Sequence, residues 1–132
     1  MSAQQILESS SSTATNPGEL ATVIDALIDA ERDATVCAGA MMALADASMV
    51  PATRAALDCA DTSAAASRVL GRTASPDARV IHSVLQAAIS AAERSAAECG
   101  KHAHHHEHCR LMSETAGRAA DACRRALGTY PG

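Results

Sequence analysis

The stretch PDARVIHSVLQAAISAAERSAAECG, residues 76–100, decides the fold. Apolar or small side chains recur at Val80/Ile81, Val84/Leu85, Ala88, Ala92, Ser95 and Cys99. That three-and-four spacing lays one stripe along a helix and does not fit the alternation of a strand. Ser75 before Pro76 is a helix start signal, and Gly100 a stop. Working outward, the same spacing returns on both sides. Towards the N-terminus, Pro51 opens a helix running through Ala52, Ala56, Cys59, Ser63, Ala66 and Leu70, stopped by Gly71. Before it, Val23, Leu27, Ala30, Ala34, Cys37, Met41 and Leu44 form the stripe of a helix over residues 19–48, with Asp25, Asp29 and Asp33 off the stripe. Towards the C-terminus, Cys109, Met112, Ala116, Ala119 and Cys123 mark a helix over 107–127, ended by Gly128. Four amphipathic segments joined by short connections predict an all-α, antiparallel up-down four-helix bundle. The bundle spans 18–128, between a Ser/Thr-rich polar tail at 1–17, read as disordered, and a short tail at 129–132.

Composition agrees with this class. The chain is 48% hydrophobic but 1% aromatic, without Trp or Phe, and about a quarter of it is Ala. Ala favours helices, and the residues that strands prefer are scarce. A core of such small side chains brings helices close together but fills little volume. The net charge of −4, the absence of a basic stripe and the single aromatic, Tyr130, argue against nucleic acid as a partner. No apolar run is long enough to cross a bilayer, and the first residues lack a basic start followed by an apolar core. A cytoplasmic protein is therefore expected, with self-association through helix faces left open. Cys37, Cys59, Cys99, Cys109 and Cys123 are odd in number and sit in helical patterns, so they read as free thiols, metal ligands or small core residues rather than disulfides.

The chemistry concentrates between Cys99 and Cys109. This segment holds two Cys and five of the six His, namely His102, His104, His105, His106 and His108. Imidazole with thiolate suits Zn(II) and Cu(I), and the thioether of Met112, one turn into the last helix, tilts the set towards soft Cu(I). In an up-down bundle the first and third connections share one end. Cys99, Cys109, Met49 and the His run then lie at that end. Met41 and Met112 lie one to two turns deeper, Cys37 and Cys59 deeper again, and Cys123 near the opposite end. Taken singly, Cys37, Cys59 and Cys123 also read as small buried residues, Met41, Met42 and Met49 as core filler, and the His run as a solvated polar loop. No Glu-x-x-His pair for a di-iron site occurs, and no Gly-rich phosphate loop. A Cys nucleophile with a His base is conceivable at Cys99/His102 or Cys109/His105, but nothing marks it above a metal site.

The segment from Ala97 to Arg110, with the run from Ala119 to Ala126, resembles the four-helix-bundle copper storage proteins. So do Ile24-Asp-Ala, the run from Leu57 to Asp61, and the run from Ala66 to Leu70. The resemblance covers residues from about 19 to 127. It implies a bundle lined by Cys at the stripe positions and filled with many Cu(I) ions. This chain departs from the pattern: matching positions hold Val23, Leu27, Ala30, Ala34, Met41, Ser63, Ala88, Ala92, Ser95, Met112, Ala116 and Ala119. The expectation is therefore one or a few Cu(I) ions near the His-rich end, held by Cys99, His102, Cys109 and Met112 with the other His assisting and Met41, Cys37 and Cys59 as further candidate ligands, for buffering, sensing or delivery, with Zn(II) the competing metal. The rival reading is a small metal-dependent enzyme or ligand-binding protein, with a Cys/His site at the mouth of an Ala-lined cavity.

Overall fold

The computed structural model describes residues 2–9, 16–72 and 77–130. Among them it holds five helices: α1 (Ala3–Ser9), α2 (Pro17–Ala43), α3 (Val50–Gly71), α4 (Ala78–Gly100) and α5 (Glu107–Thr129). A single 3-10 turn, Ala47–Met49, precedes α3. Helix α2 packs on α3, α3 on α4, α4 on α5 and α5 back on α2, the closed ring of a four-helix bundle. Local chemistry sets most of the starts. Asn16 accepts the Glu19 amide at 3.1 Å and Pro17 occupies the first turn of α2. Asp77 accepts the amides of Arg79 and Val80 at 3.0 and 3.3 Å, capping α4. The start signal at Ser75-Pro76 lies outside the described residues.

Two expectations change. The helix expected over 19–48 stops at Ala43. Ala45 takes a left-handed backbone, φ 50°, and Asp46 turns its carboxylate onto the Ser48 amide at 2.9 Å. The chain thereby exchanges helical bonds for a capped turn. In the tail read as disordered, residues 3–9 form α1, which packs on α2 with Leu7 buried among Leu20, Val23, Ile24 and Leu27. So short a helix depends on packing, which Leu7 and the partly buried Ala3 supply against the core. The connection 101–106 is a compact turn: the His105 and His106 amides both donate to the His102 carbonyl, at 3.1 and 3.0 Å.

The core has two halves. Around the end carrying the α2–α3 and α4–α5 connections it is Ala, Cys and Met: Ala30, Ala34, Cys37, Met41, Met49, Cys59, Cys99, Cys109, Met112 and Ala116 among others. The other half is aliphatic, with Leu20, Val23, Leu27, Leu70, Ile81, Leu85 and Ile89 around Cys123. Leu27, Leu70 and Leu85 are fully buried. Each such side chain contributes about 1.5–3 kcal/mol relative to exposure.

Candidate metal centre

Cys37, His108 and Cys109 bring their ligand atoms within 4.8 Å of one another. Cys37 comes from the last part of α2, and His108 and Cys109 from the first turn of α5. His108 Nδ1 stands 3.4 Å from Cys37 Sγ and 3.5 Å from Cys109 Sγ, so one imidazole faces both sulfurs. Cys37 Sγ also reaches the His108 carbonyl at 3.7 Å. Both thiols are buried and His108 is half-buried. Burial, helped by neighbouring His106, holds the His108 pKa below the ordinary range. The ring is therefore neutral at physiological pH, the form that binds a metal.

Cys99 extends the group from α4. A hydrogen bond with Cys99 pushes the Cys37 thiol far up, and the same bond lowers Cys99. Burial raises Cys109. Ser95 Oγ lies 4.0 Å from Cys99 Sγ, and Ser63 Oγ 3.9 Å from Cys59 Sγ. These two buried hydroxyls give the inner sulfurs polar company that the stripe pattern alone does not announce. Met41 and Met112 are buried in the same half of the core, while Met42 is exposed.

The structure arranges the sequence candidates unevenly. Cys37 sits higher than its place in a 19–48 helix implies, because α2 ends early and leaves it less than two turns from the connection. His108, one of five His in the run, is the one joined to the thiols. His102 and His106 are half-buried and lie near enough to Asp46 to lower its pKa, behind the stronger effect of its bonds to Ser48. His104 and His105 are exposed. Cys59 is fully buried below the group, and burial raises its pKa. Cys123 lies in the aliphatic half, its pKa pushed up to about 11, first by burial. Asp46 was not legible as a neighbour of the His run, since it belongs to a different connection.

Residues 16–128 match the family model described as "Copper storage protein". No curated protein matches the chain. Among solved structures, the copper storage protein Ccsp from Streptomyces lividans, loaded with 10 copper equivalents, is 29% identical with a TM-score of 0.90, covering 96% of this chain and 98% of its own. A structure of the cytosolic copper storage protein from the same organism, described as loaded with five coppers, is 32% identical with a TM-score of 0.79, covering 84% of this chain and 93% of its own.

Proposed function

The chain belongs to the copper storage protein family and is a copper-binding helical bundle; from that premise we propose that it holds a few Cu(I) ions in the Ala/Cys/Met half of its core. The observation that carries this reading is the convergence of Cys37, His108 and Cys109 within 4.8 Å. Thiolates and a neutral imidazole suit both Cu(I) and Zn(II), and the buried thioethers of Met41 and Met112 favour Cu(I). Cys99 supplies the next sulfur inward and Cys59 the one after. His102 and His106 form the lip through which an ion reaches the thiols. The capacity is small because the other half of the stripe carries Leu, Ile and Val, and its one sulfur is Cys123. The role is buffering, sensing or delivery of copper in the cytosol, the compartment named for the Streptomyces lividans relative.

Anaerobic titration of the reduced protein with Cu(I) against a competing chelator tests this. Saturation at a few ions per chain is expected. Uptake of ten or more would show that the alanines and leucines on the stripe do not limit capacity. Preferential retention of Zn(II) over Cu(I) would overturn the choice of metal.

A further inference from the structure

We propose that Ser63 and Ser95 are positioning residues of the copper-binding core, each donating its hydroxyl proton to one cysteine sulfur, Cys59 and Cys99, and holding that sulfur ready for Cu(I). Among the described residues three polar side chains are buried, Ser63, Ser95 and Thr115. Thr115 is accounted for by its bond to Asp33. Ser63 and Ser95 are fully buried on stripes where Ala56, Ala60, Ala66, Ala88 and Ala92 are buried too. A hydroxyl there destabilises the fold relative to Ala unless it is well hydrogen-bonded. Helical hydroxyls commonly meet that need by turning back onto the helix. Thr22, Thr35, Thr53 and Thr62 each donate to the carbonyl four residues earlier, at 2.9, 2.7, 2.8 and 2.8 Å. Ser63 and Ser95 face sulfur instead: Ser63 Oγ lies 3.9 Å from Cys59 Sγ, and Ser95 Oγ 4.0 Å from Cys99 Sγ.

Those contacts are long while the sulfur is a thiol, and a weak return for a buried hydroxyl. A metal-bound sulfur is a thiolate, which has no proton to give and accepts strongly. The hydroxyl is then the donor and the bond tightens. The two hydroxyls are also placed alike. Helix α3 runs away from the α2–α3 connection, and α4 runs towards the α4–α5 connection. Ser63, four residues after Cys59, and Ser95, four before Cys99, therefore each lie about one turn deeper than their sulfur. Each sulfur is held from the aliphatic side and left open towards the His-rich end. The hydroxyl oxygens themselves are hard donors, poorly matched to Cu(I), so their partner is the sulfur rather than the ion. This role rests on the reading of the core as a Cu(I) site.

The test compares the full reduced chain with Ser95→Ala, Ser63→Ala and Ser95→Thr. Cu(I) competition with a chelator and denaturation of the metal-free protein are the readouts. Ser95→Ala is expected to weaken the ion held at Cys99 by about tenfold or more. Its denaturant midpoint should equal or exceed the parent's, because a poorly satisfied hydroxyl gives way to the residue that lines the stripe. Ser63→Ala should act in the same way on the ion held at Cys59. Ser95→Thr keeps the hydroxyl and should keep most of the affinity. Should its extra methyl prevent folding, the split between affinity and stability in Ser95→Ala decides the matter. Unchanged affinity in both Ala variants, or a loss of affinity matched by a loss of stability, overturns the role while the metal reading stands. A parent that takes up no tight Cu(I) overturns the metal reading and this role with it, and the parent's own titration tells that failure from the other.

Discussion

The two halves of the core use one helical frame for opposite ends. Around Cys37, Cys99 and Cys109 the stripe is mostly alanine, so backbones come close and sulfurs from three helices meet. Around Leu27, Leu70 and Leu85 the same stripe positions carry branched aliphatic side chains that interlock. The difference teaches that periodicity determines where a residue points, and side-chain volume determines whether that place becomes a site or a support. Stability and binding should accordingly be separable by region.

The largest effect expected from breaking that division is on stability. Leu85→Ala should cost about 2–5 kcal/mol, since Leu85 is fully buried and its loss leaves a cavity. Chemical denaturation of the metal-free protein measures this, and the affinity for the first Cu(I) should stay within a small factor of the parent. A large drop in affinity would mean that the aliphatic half takes part in the site. Next comes Cys109→Ala, which should weaken the tightest Cu(I) by about a hundredfold or more in chelator competition. Its cost in stability should be small, because alanine already lines this half. Cys37→Ala should behave alike. Cys123→Ala is the counterpart from the other half and should leave the tightest ion in place. If it removes that ion, the comparison between the halves collapses. Met112→Leu preserves volume and removes only the thioether, so a loss of a few-fold in affinity is expected at nearly unchanged stability.

The aliphatic half should also give the metal-free fold a pH dependence. Burial lifts the Cys123 thiol to about 11, whereas in the unfolded chain it titrates near the usual ~8.5. Between those values the folded state holds a proton that the unfolded state has released, so stability falls as pH rises. Its contribution is fully present below about pH 8.5, and the loss reaches about 3 kcal/mol once pH has passed the folded value. Cys123→Ala should flatten the decline in denaturant midpoint over that range. An unchanged slope would show that Cys123 is not the group responsible.

Much of this was legible in the chain itself. Val80 to Cys99, spaced by three and four, states a helix, and Pro and Gly placed most of the ends within a few residues. The stop of α2 was not legible. It depends on Asp46 preferring the Ser48 amide and on Ala45 accepting a left-handed backbone, local competitions that hydrophobic spacing does not record. That stop also moved Cys37 up to His108. Choosing His108 from five neighbouring His required knowing where α5 begins, since its first turn points that one ring at the sulfurs. The helix in the polar tail rested on a single leucine, too weak a pattern to stand out from its serines.

Just below the sulfurs, α5 is tied sideways to both of its neighbours. Thr115 Oγ1 donates to Asp33 Oδ2 on α2 at 2.9 Å, and Ser113 Oγ donates to the Ala96 carbonyl on α4 at 3.0 Å. These bonds fix the sliding position of three helices relative to one another without touching any sulfur or imidazole. The freedom lost in gathering ligands from α2, α4 and α5 is therefore given up during folding and does not oppose the metal when it arrives. The centre is preorganised: uptake should proceed without a slow conformational phase, and the empty and filled bundles should keep the same backbone.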